Sequence, residues 1–154
     1  MDDIGMGTQA VYYRESDGGE PVAEFLDSEF PMEPAGRTPT QKQIERAALR
    51  RAAIDFQIDR LNGLPVDAPP LPFPHSSQVR GELRELRCHF GRELYRVLYR
   101  RSDNLFVLLH MFRKASQKIP ESEIRVAEGR WDDYKARMDA AKRKPPRAAG
   151  HDAP

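Results

Sequence analysis

Four cations crowd a short stretch of this chain: Arg87, Arg96, Arg113 and Lys114. They sit between apolar residues at the short intervals of β-strands, where an unpartnered arginine is costly to bury. Cations gathered this closely repel one another and need a counter-charge. Acids of the same chain can supply it, and so can an anionic ligand. The planar fork of a guanidinium suits phosphate oxygens, which it grips in pairs without a metal. Glu85, His89, His110 and Tyr95 lie in the same stretch and are types that accept or release a proton. Tyr95, Tyr99 and Phe112 add aromatic faces on which a base can stack.

The charge distribution points the same way. The chain has 154 residues and a net charge of +1. Residues 1–75 hold 7 Lys/Arg against 13 Asp/Glu, net −6. Residues 76–118 hold 10 against 4, net +6. A basic middle within a near-neutral protein marks a local site for a polyanion.

Other chemistries lack their residues. There is no Gly-rich phosphate loop with its Lys-Ser/Thr and no serine nucleophile elbow. His75, His89, His110 and His151 have no paired metal-ligand spacing, so neither a metal nor a cofactor is expected. The single Cys88 excludes an intrachain disulfide and reads as a small buried hydrophobe. No run of 18 apolar residues is present, so no membrane helix is expected. The opening MDDIGMG is acidic and carries no apolar stretch of a signal peptide, which makes a cytoplasmic location the expectation.

The elements that position these residues follow from periodicity. Residues 1–8 and the basic, Pro/Ala-rich residues 142–154 read as disordered, with one domain over 9–141. Gln9 to Arg14 is β-prone and opens the fold. Val22, Phe25, Leu26 and Phe30 have helical spacing. Thr40 and Gln43 form a capping-box pair ahead of an apolar stripe of Ile44, Ala47, Ile54, Ile58 and Leu61. Glu82–Phe90, Leu94–Arg100 and Leu105–Lys114 read as three strands joined by short turns at Gly91-Arg92 and Ser102-Asp103-Asn104, hence antiparallel neighbours. A last helix carries Ile124, Ala127, Trp131, Tyr134 and Met138 on one stripe. The expected fold class is α+β: a small antiparallel sheet with its helices packed largely on one face, in the order strand, helix, helix, three strands, helix.

Alternation along the strands sets Leu83, Glu85, Arg87 and His89 against Arg84, Leu86, Cys88 and Phe90. In the next strand Tyr95, Val97 and Tyr99 oppose Leu94, Arg96, Leu98 and Arg100. Arg87, Arg96, Arg113 and Lys114 can therefore converge across neighbouring strands, and a bulge decides which of them share a face.

From Leu71 to about Tyr134 the sequence resembles the RelE/HigB family of type II toxins, in particular its phage-derived HigB-like branch. The matching pieces are Glu85-Leu86-Arg87, Tyr95 to Tyr99, Leu108 to Lys114, Ser116 to Pro120, and Glu123-Ile124 with Ala127. The resemblance implies an endoribonuclease that cuts mRNA, commonly in the ribosomal A site, with a helix-turn-helix antitoxin as its partner. It implies a metal-free mechanism, in which a base takes the ribose 2′-hydroxyl proton and the oxygen attacks the adjacent phosphodiester. Carried onto these positions, it makes Arg96 the transition-state clamp, and Arg87 and Lys114 phosphate or proton-shuttling groups. Glu85 is then either the base or the salt-bridge partner of Arg87, and His110 and Tyr95 are alternatives for the acid. Arg84, Tyr95, Arg113, Gln117 and Lys118 complete the expected RNA contacts. The alternative is a RelE-like module that binds RNA or protein without cutting.

Overall fold

A computed structural model describes residues 7–31, 40–139 and 146–151. In chain order the elements are β1 (Gln9–Tyr12), α1 (Pro21–Glu29), α2 (Gln41–Asp59), β2 (Ser76–Arg80), β3 (Leu83–Phe90), β4 (Glu93–Ser102), β5 (Leu105–Arg113) and α3 (Glu121–Asp139). The sheet order is β1-β5-β4-β3-β2. β2 to β5 form an antiparallel meander, and β1 joins β5 in parallel. The class is α+β, as the sequence indicates. Of the stretch expected to be disordered over residues 1–8, residues 1–6 lie outside the described residues, as do residues 32–39.

Local signals account for most boundaries. Pro21 opens α1, where its missing N–H costs nothing. At α2, the Thr40 hydroxyl accepts from the Gln43 amide while the Gln43 side chain accepts from the Thr40 amide, a complete capping box. The β3–β4 turn sits at Gly91, whose φ of 60° suits a residue without a Cβ.

β2 has no counterpart in the periodicity. Its sequence is SSQVR, and of its residues only Ser76 is buried. An edge strand with one partner can be this polar, so it carries no alternating apolar signature.

The helices do not share one face. α1 and α2 cover Ala10, Tyr12, Leu86, Cys88, Tyr95, Val97, Tyr99, Leu108 and Met111. α3 covers Val11, Leu83, Leu98, Val107, Leu109 and Phe112 from the other side, through Ile124, Ala127, Trp131 and Tyr134. Two of the three helices thus share a face, and α3 covers the other for a reason visible in β5. That strand is apolar on both faces, and a doubly apolar strand needs cover on both. Met138, the last residue of the expected α3 stripe, is exposed.

The expectation of disorder from residue 142 also meets a different outcome over residues 146–151. There the chain returns and pairs with β1. The Tyr12 amide donates to the Arg147 carbonyl at 2.8 Å, and the Ala149 amide donates to the Ala10 carbonyl at 2.8 Å. Ala149 is fully buried, and Arg147 pairs with Glu20 at 2.9 Å while lying 4.7 Å from the Tyr12 ring centroid. This segment covers the free edge of β1, which would otherwise offer unpaired amides and carbonyls.

Gly150 fixes the end of that pairing. Its φ is +115°, and a Cβ built there would lie 2.3 Å from Asp59 Oδ1. Gly150→Ala is therefore expected to release the segment from β1. The expected cost is about 1–3 kcal/mol, the scale for a residue forced into sparsely populated backbone geometry. Denaturant unfolding checks the loss, and proteolysis after residue 145 should quicken in the variant.

Candidate functional site

The site grows from the register of β3 on β4. Arg87 lies directly opposite Arg96, and such a like-charge pair destabilises a sheet. Glu85 answers it from two residues away on the same face. Its Oε1 lies 2.7 Å from Arg96 Nε, and its Oε2 lies 3.6 Å from Arg87 Nη1. The Ser77 hydroxyl, on β2, donates a further hydrogen bond to Oε2. Glu85 is 7% exposed and Arg96 only 1%. The carboxylate is thus held by two cations and a hydroxyl, and Arg96 is enclosed in the sheet while Arg87 stays half-buried.

Two more groups complete the cluster. Arg96 Nη1 is 3.1 Å from His89 Nε2 and 3.0 Å from the Tyr95 carbonyl. His89 is exposed, and its pKa is lowered by desolvation and then by Arg96, Arg87 and Lys114. Lys114 follows β5, anchored by its amide to the Leu94 carbonyl at 2.7 Å. Burial lowers its pKa first, and the Arg96 charge lowers it further. Burial likewise lowers that of Arg96, against the pull of Glu85.

A bulge in β5 decides which cations meet. Leu98 pairs with His110 and Tyr99 with Leu108, so Leu109 is an extra residue. Before the bulge Val107 and Leu109 face α3; after it Met111 faces α1 and α2, and Phe112 faces α3. Lys114 therefore joins Arg96, and Arg113 is sent to the opposite face, 6.0 Å from the Tyr95 ring. Of the four cations singled out by type, Arg87, Arg96 and Lys114 converge.

The remaining expected site residues lie elsewhere. Tyr95 is buried on the α1/α2 face, its hydroxyl directed at Glu29 and Glu93, and its pKa is pushed up to about 12, by burial first. Arg84 shares that face and donates to the Leu71 carbonyl beside a separate cavity of about 420 Å³. Gln117 and Lys118 are exposed in the loop between β5 and α3.

His110 is held beneath α3, apart from the cluster. Its Nδ1 is 3.0 Å from Arg130 Nη1 and its Nε2 is 2.8 Å from Glu123 Oε1. Arginine only donates, so Nδ1 is the acceptor and Nε2–H donates to Glu123: a neutral ring. Burial lowers its pKa, against the hydrogen bond it donates to Glu123 and with the help of the Arg130 charge.

Ser77 is the member that residue-type reasoning passes over; His89 is among the proton-transfer types it names, outside the set carried over from the resemblance. Ser77 sits on the strand that has no periodic signature. His89 did carry a signal, because it shares the alternation parity of Glu85 and Arg87. Next to it a cleft of about 320 Å³ is lined by Gln57, His75, Arg87 and His89 among others, and the exposed Phe73 ring lies 4.9 Å from the Arg87 guanidinium carbon.

This arrangement of a sheet-borne cation cluster falls within the part of the chain that a family profile recognises. The profile described as phage-derived protein Gp49-like (DUF891) matches residues 42–132. The chain belongs to this Gp49-like family. The family is associated with toxin–antitoxin toxins. Its match runs from α2 into α3 and contains Ser77, Glu85, Arg87, His89, Arg96 and Lys114. No curated protein matches the chain. Among the described residues, no helix is long and apolar enough to cross a membrane.

Two outcomes follow for stability. Glu85→Gln leaves Arg96 enclosed without its counter-charge and should cost about 3–5 kcal/mol, the scale for breaking a buried ion pair from one side; equilibrium denaturation at constant pH measures it. His110 gives a pH signature. Its folded pKa lies below the ordinary 6.5, so the unfolded chain binds the proton more readily. Stability from this residue is complete above about pH 6.5 and falls as the pH drops from there toward the depressed value. His110→Gln should be flatter than the parent over that window, and the difference between their denaturation midpoints at successive pH values reports it.

Proposed function

We propose that this protein is the toxin of a type II toxin–antitoxin pair, acting in the cytoplasm as an endoribonuclease on mRNA, on the ribosome. The observation that carries the proposal is the meeting of Arg87, Arg96 and Lys114 around Glu85 on one sheet face, beside the open cleft at His89. Three cations at one place suit the crowded charge of a phosphodiester under attack. The family's toxin–antitoxin association supports a dedicated inhibitor, for which a helix-turn-helix antitoxin is the proposed partner.

In this reading the ribose 2′-oxygen attacks the adjacent phosphorus and the bond to the 5′-oxygen breaks. Arg87 and Arg96 hold the non-bridging oxygens, in fork geometry rather than as point charges. Lys114 gives its proton to the leaving 5′-oxygen, and its lowered pKa makes that transfer easier. Glu85 orients the two guanidiniums. As its oxygens already face Ser77, Arg87 and Arg96, it suits this role better than that of a base. The cations supply the positive charge, so the mechanism assigns no step to a metal.

A second reading is favoured by the enclosure of Arg96. With its side chain 2% exposed and engaged by Glu85, the sheet could hold RNA or a protein without cutting it.

Expression in growing cells separates the two. The toxin reading expects growth arrest with cleaved mRNA; the binding module leaves mRNA intact. Arg87→Ala and Lys114→Ala alter half-buried positions and should keep the fold while slowing cleavage about 10²–10³-fold, the scale for losing one transition-state donor. Cleavage is expected to survive excess chelator when ribosome integrity is maintained separately. Wild-type rates in both variants, or an absolute requirement for added Mg²⁺, would sink the mechanism.

A further inference from the structure

The cluster contains a proton acceptor whose state is set by geometry. Arg96 Nη1 lies 3.1 Å from His89 Nε2, and a guanidinium has hydrogens to give and no lone pair to receive one. Nε2 must therefore be the bare nitrogen of a neutral imidazole, with the ring hydrogen on Nδ1. The other candidates are occupied or remote. Glu85 is committed to Ser77, Arg87 and Arg96, and is buried. Tyr95 is on the opposite face, and His110 is beneath α3 with Glu123 and Arg130. His89 is exposed at the rim of the cleft that His75, Gln57 and Arg87 also line.

We infer that His89 is the group that takes the 2′-hydroxyl proton, through a nitrogen that Arg96 keeps free of hydrogen until a phosphate displaces it. The inference rests on the ribonuclease reading above. A phosphate oxygen offers Arg96 a stronger, charge-assisted acceptor than a neutral imidazole. When the phosphodiester takes Nη1, the Nε2 lone pair is released beside the ribose. The O2′–H proton passes to Nε2, O2′ bonds to phosphorus, the P–O5′ bond breaks, and the 5′-oxygen leaves with the Lys114 proton. The products are a 2′,3′-cyclic phosphate and a 5′-hydroxyl, with His89 cationic and Lys114 neutral until they exchange protons with water.

The surroundings support a base that works at neutral pH. Partial loss of water first, then Arg96 from β4, Arg87 from β3 and Lys114 after β5, disfavour a charged His89, while Glu85 favours it; His75 stands on the cleft side. The ring is thus neutral below the pH at which an ordinary histidine would be. The cations that hold the phosphate add to partial burial in keeping the base unprotonated.

The test uses the full chain with programmed ribosomes and an mRNA. His89→Ala, at an exposed position, should melt with the parent and bind an uncleavable 2′-deoxy message with unchanged affinity. Its single-turnover cleavage should fall about 10²–10⁴-fold, the usual contribution of a positioned base. Imidazole added to His89→Ala should restore part of the rate, and the same addition to Lys114→Ala should not. The parent's rate should rise with pH below about 6.5 and level off by neutrality, and His89→Gln should lose that rise. Cleavage by His89→Ala within a few-fold of a cleaving parent would overturn this assignment alone. So would a pH profile in His89→Gln parallel to the parent's, or a slow His89→Ala indifferent to imidazole. A parent that cuts no RNA would overturn the ribonuclease reading and this inference with it.

Discussion

The site depends on one buried carboxylate. β3 and β4 set Arg87 against Arg96 in register, and without Glu85 that register would hold two facing cations, one enclosed and one half-buried, with no counter-charge. Glu85 reconciles them, and it draws in the rest. Its second oxygen needs Ser77, so the polar edge strand β2 has a reason to be there. Its hold on Arg96 Nε turns Nη1 toward His89. A sheet built only for packing would place an aliphatic residue at each of these positions.

The two faces differ in what they carry. α1 and α2 bury one face of the sheet, and α3 buries part of the other with Trp131 and Tyr134. The face that α3 shares with the cation cluster is where half-buried charge can persist, because its neighbours are other charges and solvent. Arg100 shows the boundary: it lies on the α3 side, 4.5 Å from the Trp131 ring and 3.0 Å from Glu82, and so belongs to the packing. Phe112, stacked with His110, separates the group under α3 from the cluster at Arg96.

Electrostatics gives the cluster its poise. Each cation lowers the proton affinity of its neighbours, and His89 and Lys114 feel this along with partial loss of water. One site thereby holds a neutral imidazole and a weakened ammonium, the pair that the proposed proton transfers call for. The arginines set the field. The return of residues 146–151 onto β1 is a separate device, since it seals the far edge of the sheet with backbone hydrogen bonds.

The sequence by itself determined the element order around the site, because apolar spacing, the Thr40–Gln43 box and the Gly91 turn are local signals. It determined that Glu85, Arg87 and His89 share a face of β3, because alternation is a property of a single strand. It also singled out Arg96 by type. It could not show β2, whose SSQVR needs only a neighbour to pair with, nor the docking of residues 146–151, whose hydrogen bonds are made by backbone across the chain. It left open whether Arg113 or Lys114 would join Arg96. The bulge at Leu109 settled that, by shifting the parity of everything after it, and a bulge is fixed by the register between two strands. Tertiary structure likewise decided that Arg96 is enclosed and Tyr95 turned away, because burial depends on which helix covers which face.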